Sequence, residues 1–338
     1  MKAKAIIALA LLTAAAGLGY AGDLSDLFPA LVPGDDAITA PRLTSGDLDG
    51  DGVEEVVVAG RVGPFRAVTD PFESKQARID VFRLTGGDLA LVWSSPNLHV
   101  INDVATGDVD GDGAPEIVAI GDYRMYIYRW EDERGTAIWS SPFARGRAMR
   151  IDMADLDSDG RAELVVAEQV PRFNADLSPT QITVYSFDGQ VLLALSSLWS
   201  DMHVGDLALT RRRGAETYLF FEEGGEEEGG TIVTYGFSGT SPRLIGRELL
   251  IPTRQRALAL SVEAKGLGQH VLAVGCVSGD IRIYGFDGGT FSLADRFYQS
   301  EPGAVQSGLL LRDLSRDGLL QLITARKGES PLLKTVVH

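Results

Sequence analysis

The sequence predicts an all-β protein with a β-propeller fold of six blades, each of four strands. Two observations predict it: an aspartate-rich loop recurs along the chain, and a similar series of short strands follows each loop. The loops are expected to begin at positions 47, 108, 155, 206, 262 and 313, so that one unit is about 50 residues long, the size of a propeller blade. Seven blades is the alternative, which would need a further unit.

The first unit illustrates the strands that follow each loop. An apolar strand at residues 55–60 precedes alternating strands at residues 79–84 and 89–93. Alternation of apolar and polar residues, β-branched and aromatic side chains, and turns rich in Gly and Asp are typical of strands. The matching third strands of the later units are predicted at residues 125–128, 182–185, 231–235 and 281–284.

The acidic loop is best preserved in three units. These are loop one (residues 47–55), loop two (residues 108–116) and loop three (residues 155–163). Loop six (residues 313–321) keeps the frame, but Ser315 and Gln321 replace two carboxylates. The units at Asp206 and Val262 lack the acidic set. We therefore expect metal in the first three loops only, and assign none to the loops at Asp206, Val262 and Asp313.

In the three acidic loops, carboxylates at positions 1, 3, 5 and 9 are expected to surround one hard cation, with the main-chain carbonyl of position 7 as a further ligand. The predicted ligands are Asp47, Asp49, Asp51, Val53 and Glu55; Asp108, Asp110, Asp112, Ala114 and Glu116; and Asp155, Asp157, Asp159, Arg161 and Glu163. Glycine at position 6 permits the sharp turn. Calcium fits better than magnesium because it accepts six to eight oxygen ligands in flexible geometry. The sequence thus predicts about three structural Ca²⁺ sites.

The chief alternative for such a loop is the EF-hand. An EF-hand needs a bidentate glutamate at position 12, between two helices. Position 12 is Val58, Ala119 or Val166 here, each inside a predicted strand. This excludes the EF-hand, and the similar dockerin motif for the same reason.

The three loops and the strands after them resemble the FG-GAP/VCBS repeat family, which also forms the propeller of integrin α-subunits. The resemblance covers nearly all of the chain after residue 21 and is most specific in the first three units. It implies a calcium-stabilised propeller that binds a partner, a protein or a glycan, on the face opposite the calcium loops. Long connections at residues 61–78, 169–180 and 222–230 are expected on that face. Aromatic and arginine side chains often anchor interfaces, and the candidate contacts are Phe65, Phe72, Arg172 and Phe173.

The N-terminal residues have the pattern of a secretory signal peptide. Two lysines precede an apolar stretch at residues 5–19, and Gly19 and Ala21 fit a cleavage site. We expect residues 1–21 to be removed and residues 22–338 to form one exported propeller, in the periplasm, at the cell surface or outside the cell. The alternative is an uncleaved membrane anchor, although the stretch is short beside the roughly 20 residues that a span needs.

Composition argues against several function classes. The formal net charge of −16 disfavours nucleic acid and anionic membranes, whose partners need patches of Lys and Arg. Cys276 is the one cysteine, which excludes an intrachain disulfide, and its apolar surroundings predict a packed thiol.

Catalysis is not expected, because no nucleophile–base arrangement can be assembled from the sequence. A secreted carbohydrate-active lyase or hydrolase is the alternative function. Its candidate residues at the mouth of the central channel would be His99, His203, Arg147, Arg150 and Asp201.

The last unit ends with its third strand, at residues 332–337. An open sheet edge promotes aggregation. We therefore expect residues 24–32 to supply the missing outer strand and to close the ring.

Overall fold

The computed structural model describes residues 6–7, 38–62, 77–85, 88–122, 124–142, 147–169, 179–210, 216–224, 230–251, 257–264, 269–276, 279–298, 306–314, 316, 318, 320–326 and 332–334. The regular elements in these ranges are 24 strands, numbered β1 to β24 along the chain. Within the same ranges, no helix is long and apolar enough to cross a membrane.

The described strands form six antiparallel sheets, in which strands consecutive in the chain are neighbours. Blade one contains β2 to β5: Ile38–Gly46, Glu55–Val62, Ala77–Thr85 and Asp88–Ser94. Blade two contains β6 to β9: Asp103–Gly107, Glu116–Ile120, Arg124–Glu131 and Arg134–Pro142. Blade three contains β10 to β13: Arg147–Ala154, Glu163–Gln169, Thr180–Phe187 and Leu192–Ser200. In addition, Ile6–Ile7 (β1) pairs with β5 at the outer edge of blade one.

The later sheets repeat this order. Blade four contains β14 to β17: Val204–Leu209, Tyr218–Glu223, Thr231–Ser238 and Ser241–Leu249. Blade five contains β18 to β21: Ala257–Ala264, His270–Cys276, Asp280–Phe286 and Phe291–Tyr298. Blade six contains β22 to β24: Gln306–Arg312, Gln321–Arg326 and Leu332–Lys334. Five sheets therefore have four consecutive strands, and the described part of the sixth has three. The predicted all-β propeller with four-stranded blades is confirmed, with five blades complete.

The apolar core lies between neighbouring blades rather than inside any one of them. In β3, Val57 and Ala59 pack towards blade two, whereas Val56 and Val58 pack towards blade six. Because successive residues of a strand point to opposite faces, a sheet buried on both faces needs an unbroken apolar run. This explains the run of apolar residues that follows each acidic loop. The cluster between blades six and one joins the last sheet to the first.

Hydrogen bonds between the inner strands fix one blade against the next. Oδ2 of Asp103 in blade two accepts the N–H of Ile151 in blade three at 3.0 Å. The same arrangement recurs at the next three junctions, up to blade six, where it links Asp152 with Leu209, Asp206 with Leu260, and Ser261 with Leu311. The inner strands are thus held in a common register, and the loops that follow them emerge on one face.

The acidic loops lie side by side on that face. The main-chain N–H of Glu54 in loop one donates to the carbonyl of Leu314 in loop six at 3.0 Å. The N–H of Ala162 in loop three donates to the carbonyl of Asp108 in loop two at 2.6 Å. Each loop joins the first strand of its blade to the second.

Candidate metal centre

The three acidic loops share one backbone conformation. The position 6 glycines have φ angles of 94° to 95°, in the left-handed region that glycine adopts without strain. In each loop the N–H of this glycine donates to the position 1 aspartate, as from Gly52 to Oδ2 of Asp47 at 3.1 Å. Position 4 is also left-handed, and there Ser158 of loop three has a φ of 63°. The predicted turn at position 6 is present, and the second left-handed position was not foreseen.

The position 9 glutamate of each loop accepts a hydrogen bond from the loop backbone. Glu55, Glu116 and Glu163 are buried at the start of the second strand. Oε2 of each accepts the main-chain N–H of position 2, at 3.0 Å in loop one, 3.1 Å in loop two and 2.8 Å in loop three. Oε1 of each glutamate is therefore the oxygen that does not accept this backbone hydrogen bond.

Carboxylate oxygens converge in all three loops. In each group below, one oxygen from every residue lies within 4.8 Å of the others. The groups are Asp47, Asp49 and Asp51; Asp108, Asp110 and Glu116; and Asp155, Asp157 and Glu163. The predicted ligands Glu55, Asp112 and Asp159 lie in the same loops but outside these groups. The position 7 carbonyls of Val53, Ala114 and Arg161 stay a prediction.

Two buried oxygens make this arrangement suited to a cation. Oδ1 of Asp47 and Oδ1 of Asp155, both at position 1, are buried and accept no hydrogen bond from the described residues. A buried acceptor without a partner is costly unless a ligand or water satisfies it. Since the neighbouring groups are carboxylates, a cation satisfies these oxygens and a further hydrogen-bond acceptor does not. The residues of the loops therefore fit calcium.

The pKa values of the position 9 glutamates are raised, by burial and by the neighbouring negative charges. Burial raises the pKa of Glu116 to about 7, and the charges of Asp110 and Asp112 act in the same direction. Burial likewise raises the pKa of Glu163 to about 7, with Asp157 contributing. The pKa of Glu55 is also raised by burial. A bound cation would offset this repulsion.

Two arginines at the loops escaped the sequence analysis. Arg83 in β4 donates from Nε to Oε1 of Glu55 at 3.1 Å, and from Nη2 to Oδ2 of Asp49 at 2.5 Å. Arg129 in β8 pairs with Asp110 and lies 3.5 Å from Oε1 of Glu116. Each arginine comes from the third strand of the same blade. The strand register, and not a fixed spacing in the sequence, brings each arginine to the loop.

Loop six keeps the backbone of the acidic loops with fewer charges. The N–H of Leu314 donates to Oε1 of Gln321 at 2.7 Å, as leucine does to the glutamate in loop one. The N–H of Gly318 donates to Oδ2 of Asp313 at 2.8 Å. Arg316, at position 4, extends to Oδ2 of Asp47 at 3.1 Å. The frame predicted for loop six is therefore present.

The starting positions predicted for the two weakest loops need correction. Asp206 lies inside β14 and Val262 inside β18, so both belong to inner strands. The corresponding connections follow at residues 210–217 and 265–269. Asp206 is buried, its Oδ1 lies 3.2 Å from Nε of Arg150, and it lines the cavity between the inner strands, which is the channel wall.

The channel-mouth arginines proposed for an enzyme link neighbouring blades. Arg150 is buried and donates from Nε to the carbonyl of Gly205 at 2.8 Å. Arg147 donates from Nε to Oδ1 of Asp122 at 2.5 Å.

Cys276 is fully buried at the end of β19, and burial raises its pKa to about 11. The prediction of a packed thiol is confirmed.

The candidate partner-binding side chains cannot be placed in the fold. Phe65 and Phe72 fall within residues 63–76, and Arg172 and Phe173 within residues 170–178, all outside the described residues. Those segments connect β3 to β4 and β11 to β12. The strand ends that they join lie at the end of each sheet opposite the acidic loops, because successive connections of an antiparallel sheet alternate between its two ends.

Comparison with known proteins supports the repeat and the fold. Residues 108–166 match the model of the FG-GAP-like repeat, from the start of loop two to β11. No curated protein matches the chain. A crystal structure of BBS1N in complex with ARL6DN, soaked with lead, is similar with a TM-score of 0.54 and 14% identity, over 90% of this chain and 83% of that chain. The same complex soaked with mercury is similar with a TM-score of 0.51 and 14% identity, over 86% of this chain and 76% of that chain.

Proposed function

We propose that this FG-GAP-like propeller is an exported binding module whose fold is stabilised by calcium in loops one to three. The observation that carries the proposal is the pair of buried oxygens, Oδ1 of Asp47 and Oδ1 of Asp155, without a hydrogen-bond partner among the described residues. Each lies in a group of converging carboxylates. Calcium would neutralise those carboxylates and cross-link each loop.

The role of calcium in this proposal is structural. The candidate ligands come from one short loop in each blade, between the first and second strands. In loop three, Asp155, Asp157 and Glu163 would hold the ion, and the left-handed turns would keep the loop compact. Binding to the folded state alone raises the free energy of unfolding.

A count of bound calcium tests this part of the proposal. Equilibrium dialysis of the chelator-treated chain, expressed without residues 1–21, should find about three ions per chain. A triple variant, Asp49→Ala with Asp110→Ala and Asp157→Ala, should bind almost none. Three ions retained by that variant would place the sites elsewhere.

We further propose that the partner is a protein and that it binds the face opposite the acidic loops. In the similar crystal structures, BBS1N is in complex with a protein, ARL6DN. The connections expected on that face, residues 63–76 and 170–178, contain three phenylalanines and two arginines. Rigid aromatic and arginine side chains are the usual anchors of a protein interface.

A capture experiment tests the partner and its face. Immobilised propeller, with calcium, should retain a protein from the envelope fraction of the source cells. Shortening both connections should abolish retention of that protein while the melting temperature stays nearly constant. Retention that survives the double truncation would refute the face, and selective retention of a polysaccharide would identify a glycan partner.

The closed ring is proposed to contain six blades, with the fourth strand of blade six supplied by residues 24–32. Inner strand β22 of blade six lies against β2 of blade one, so no gap separates the two sheets. This packing favours six blades over seven. Residues 24–32 fall outside the described residues, and deleting them should lower the melting temperature. An unchanged melting temperature would refute the closure.

Export is proposed from the signal-like residues 1–21. In the structure, Ile6–Ile7 from this segment pairs with the outer strand of blade one. N-terminal sequencing of the secreted protein should begin at Gly22. A chain that begins at Met1 and sediments with membranes would support the anchor instead.

A further inference from the structure

The three acidic loops differ in the residue that the third strand places beside the position 9 glutamate. The strand registers pair Val56 with Phe82, Ile117 with Tyr128, and Leu164 with Tyr185. One residue further along, the third strand therefore brings Arg83 to loop one, Arg129 to loop two and Ser186 to loop three. The three sites have the same acidic ligands but different neighbours.

Loop one is approached by two guanidinium groups. Arg83 binds Asp49 and Glu55, and its Nη1 also donates to Oε1 of Glu133 at 2.6 Å. Arg316 of loop six binds Oδ2 of Asp47 at 3.1 Å. Three of the four acidic residues predicted to bind calcium therefore already have a cationic partner.

Among the described residues, one guanidinium group, that of Arg129, forms ion pairs with the carboxylates of loop two. Nη2 of Arg129 pairs with Oδ2 of Asp110 and lies 3.5 Å from Oδ2 of Asp112. Its Nε lies 3.5 Å from Oε1 of Glu116. The arginine thus holds oxygens of two residues in the converging group, Asp110 and Glu116.

Loop three has the same acidic set without such a neighbour. Ser186 is half-buried at the matching position and carries no charge. Within the part of the chain that the structure describes, no ion pair reaches Asp155, Asp157, Asp159 or Glu163. A cation can therefore bind these carboxylates without breaking an ion pair of the described residues.

We propose that Arg83 and Arg129 are built-in competitors of calcium, so that loop three binds the ion most tightly and loop one least tightly. The inference rests on the proposed calcium function. A guanidinium that holds a carboxylate oxygen must leave it before calcium takes that oxygen, and the two cations repel each other at short range. Loop one has two such groups, loop two has one and loop three has none. Calcium therefore fills the loops in the order three, two, one as its concentration rises.

Single-site proteins allow the affinities to be measured separately. Asp49→Asn with Asp110→Asn leaves loop three, and Asp49→Asn with Asp157→Asn leaves loop two. Calorimetric titration of each chelator-treated protein with Ca²⁺ should give a Kd for loop three at least about tenfold lower than that for loop two, which corresponds to about 1.4 kcal/mol.

Exchanging the neighbour tests the cause. Arg129→Ser in the loop-two protein should lower its Kd about tenfold, and Ser186→Arg in the loop-three protein should raise its Kd by a similar factor. Arg124→Ser is the matched control. It removes the same positive charge from β8, but Arg124 lies at the end of that strand away from loop two. It should change the Kd less than twofold. Circular dichroism with and without calcium checks that each variant is folded.

The outcomes separate the two proposals. Absence of calcium binding in both single-site proteins overturns the calcium function and this inference with it. If both single-site proteins bind calcium with equal Kd values, and neither Arg129→Ser nor Ser186→Arg changes the Kd, the inference is overturned but the calcium function is not. A higher Kd for Arg129→Ser would mean that the arginine positions the carboxylates, which also overturns it. If Arg129→Ser does not fold, Ser186→Arg decides, since an unchanged Kd there contradicts the competition.

Discussion

Arg83 donates from Nε to Oε1 of Glu55 at 3.1 Å, which ties the third strand of blade one to the last carboxylate of its acidic loop. The contact follows from the antiparallel register. Because Val56 pairs with Phe82, the residue before Val56, which is Glu55, lies across from the residue after Phe82, which is Arg83. Loop and sheet therefore depend on each other.

The interface between blades four and five predicts a large loss of stability on truncation. Phe220 is fully buried, with its ring centroid 5.1 Å from that of Phe286 and 5.9 Å from that of Phe291. Phe220→Ala should lower the free energy of unfolding by about 3–5 kcal/mol, because it removes this packing and leaves a cavity. Denaturant unfolding in calcium measures it. Phe220→Leu should lose less, and a loss below about 1 kcal/mol for the alanine variant would show that the interface is not packed as described.

The channel wall predicts a dependence of stability on pH. Burial raises the pKa of Asp103 from 3.8 to about 7; the charge of Asp206 acts in the same direction, and Arg42 and Arg150 oppose it. The folded protein thus holds a proton that the unfolded chain releases near pH 3.8. This contribution to stability is fully present below about pH 4 and is lost as the pH rises through about 7.

Asp103→Asn tests that contribution. Between pH 5 and 7 the free energy of unfolding of the variant should fall less steeply than that of the unmodified protein, by at most about 1.4 kcal/mol per pH unit for one proton. Unfolding at fixed, saturating calcium measures the two slopes. Asp201→Asn, at an exposed position, is the control and should leave the slope unchanged. Parallel curves for Asp103→Asn would contradict the raised pKa.

The strand order and the acidic loops were predictable because both leave a local mark on the sequence. A sheet buried on both faces requires apolar runs such as residues 55–60, and the loops repeat at the blade interval. Local resemblance also misled: Gly205, Asp206 and Leu207 repeat the tripeptide at residues 46–48, where β2 ends and loop one begins, yet they lie in β14. What distinguishes them is the acidic continuation, which the fourth unit lacks.

The arginines at the loops could not be predicted from spacing. Arg83 lies 28 residues after Glu55, whereas Arg129 lies 13 residues after Glu116, because the connections between second and third strands differ in length. The strand register brings both to the same place. The left-handed position 4 was hidden in a similar way, since Ser158 and Arg316 occupy it where loops one and two have glycine.

Calcium removal predicts an uneven loosening of the ring. The candidate ligands lie in blades one to three, so these blades should lose amide protection first when a chelator is added. Hydrogen exchange with and without chelator, resolved by peptide, measures this. Peptides covering β3, β7 and β11 should exchange faster, and those covering β15 and β19 should change little. An equal change in all blades would indicate that calcium acts on the whole ring or elsewhere.

The melting temperature with and without calcium tests the central claim most directly. At a free concentration 100-fold above Kd, each independent site adds about 2.7 kcal/mol to the free energy of unfolding. Calcium should therefore raise the melting temperature of the chelator-treated chain. The triple variant Asp49→Ala, Asp110→Ala and Asp157→Ala should lose nearly all of this shift, and Asp313→Ala should keep it. No calcium-dependent shift, or an equal shift in the triple variant, would contradict the account.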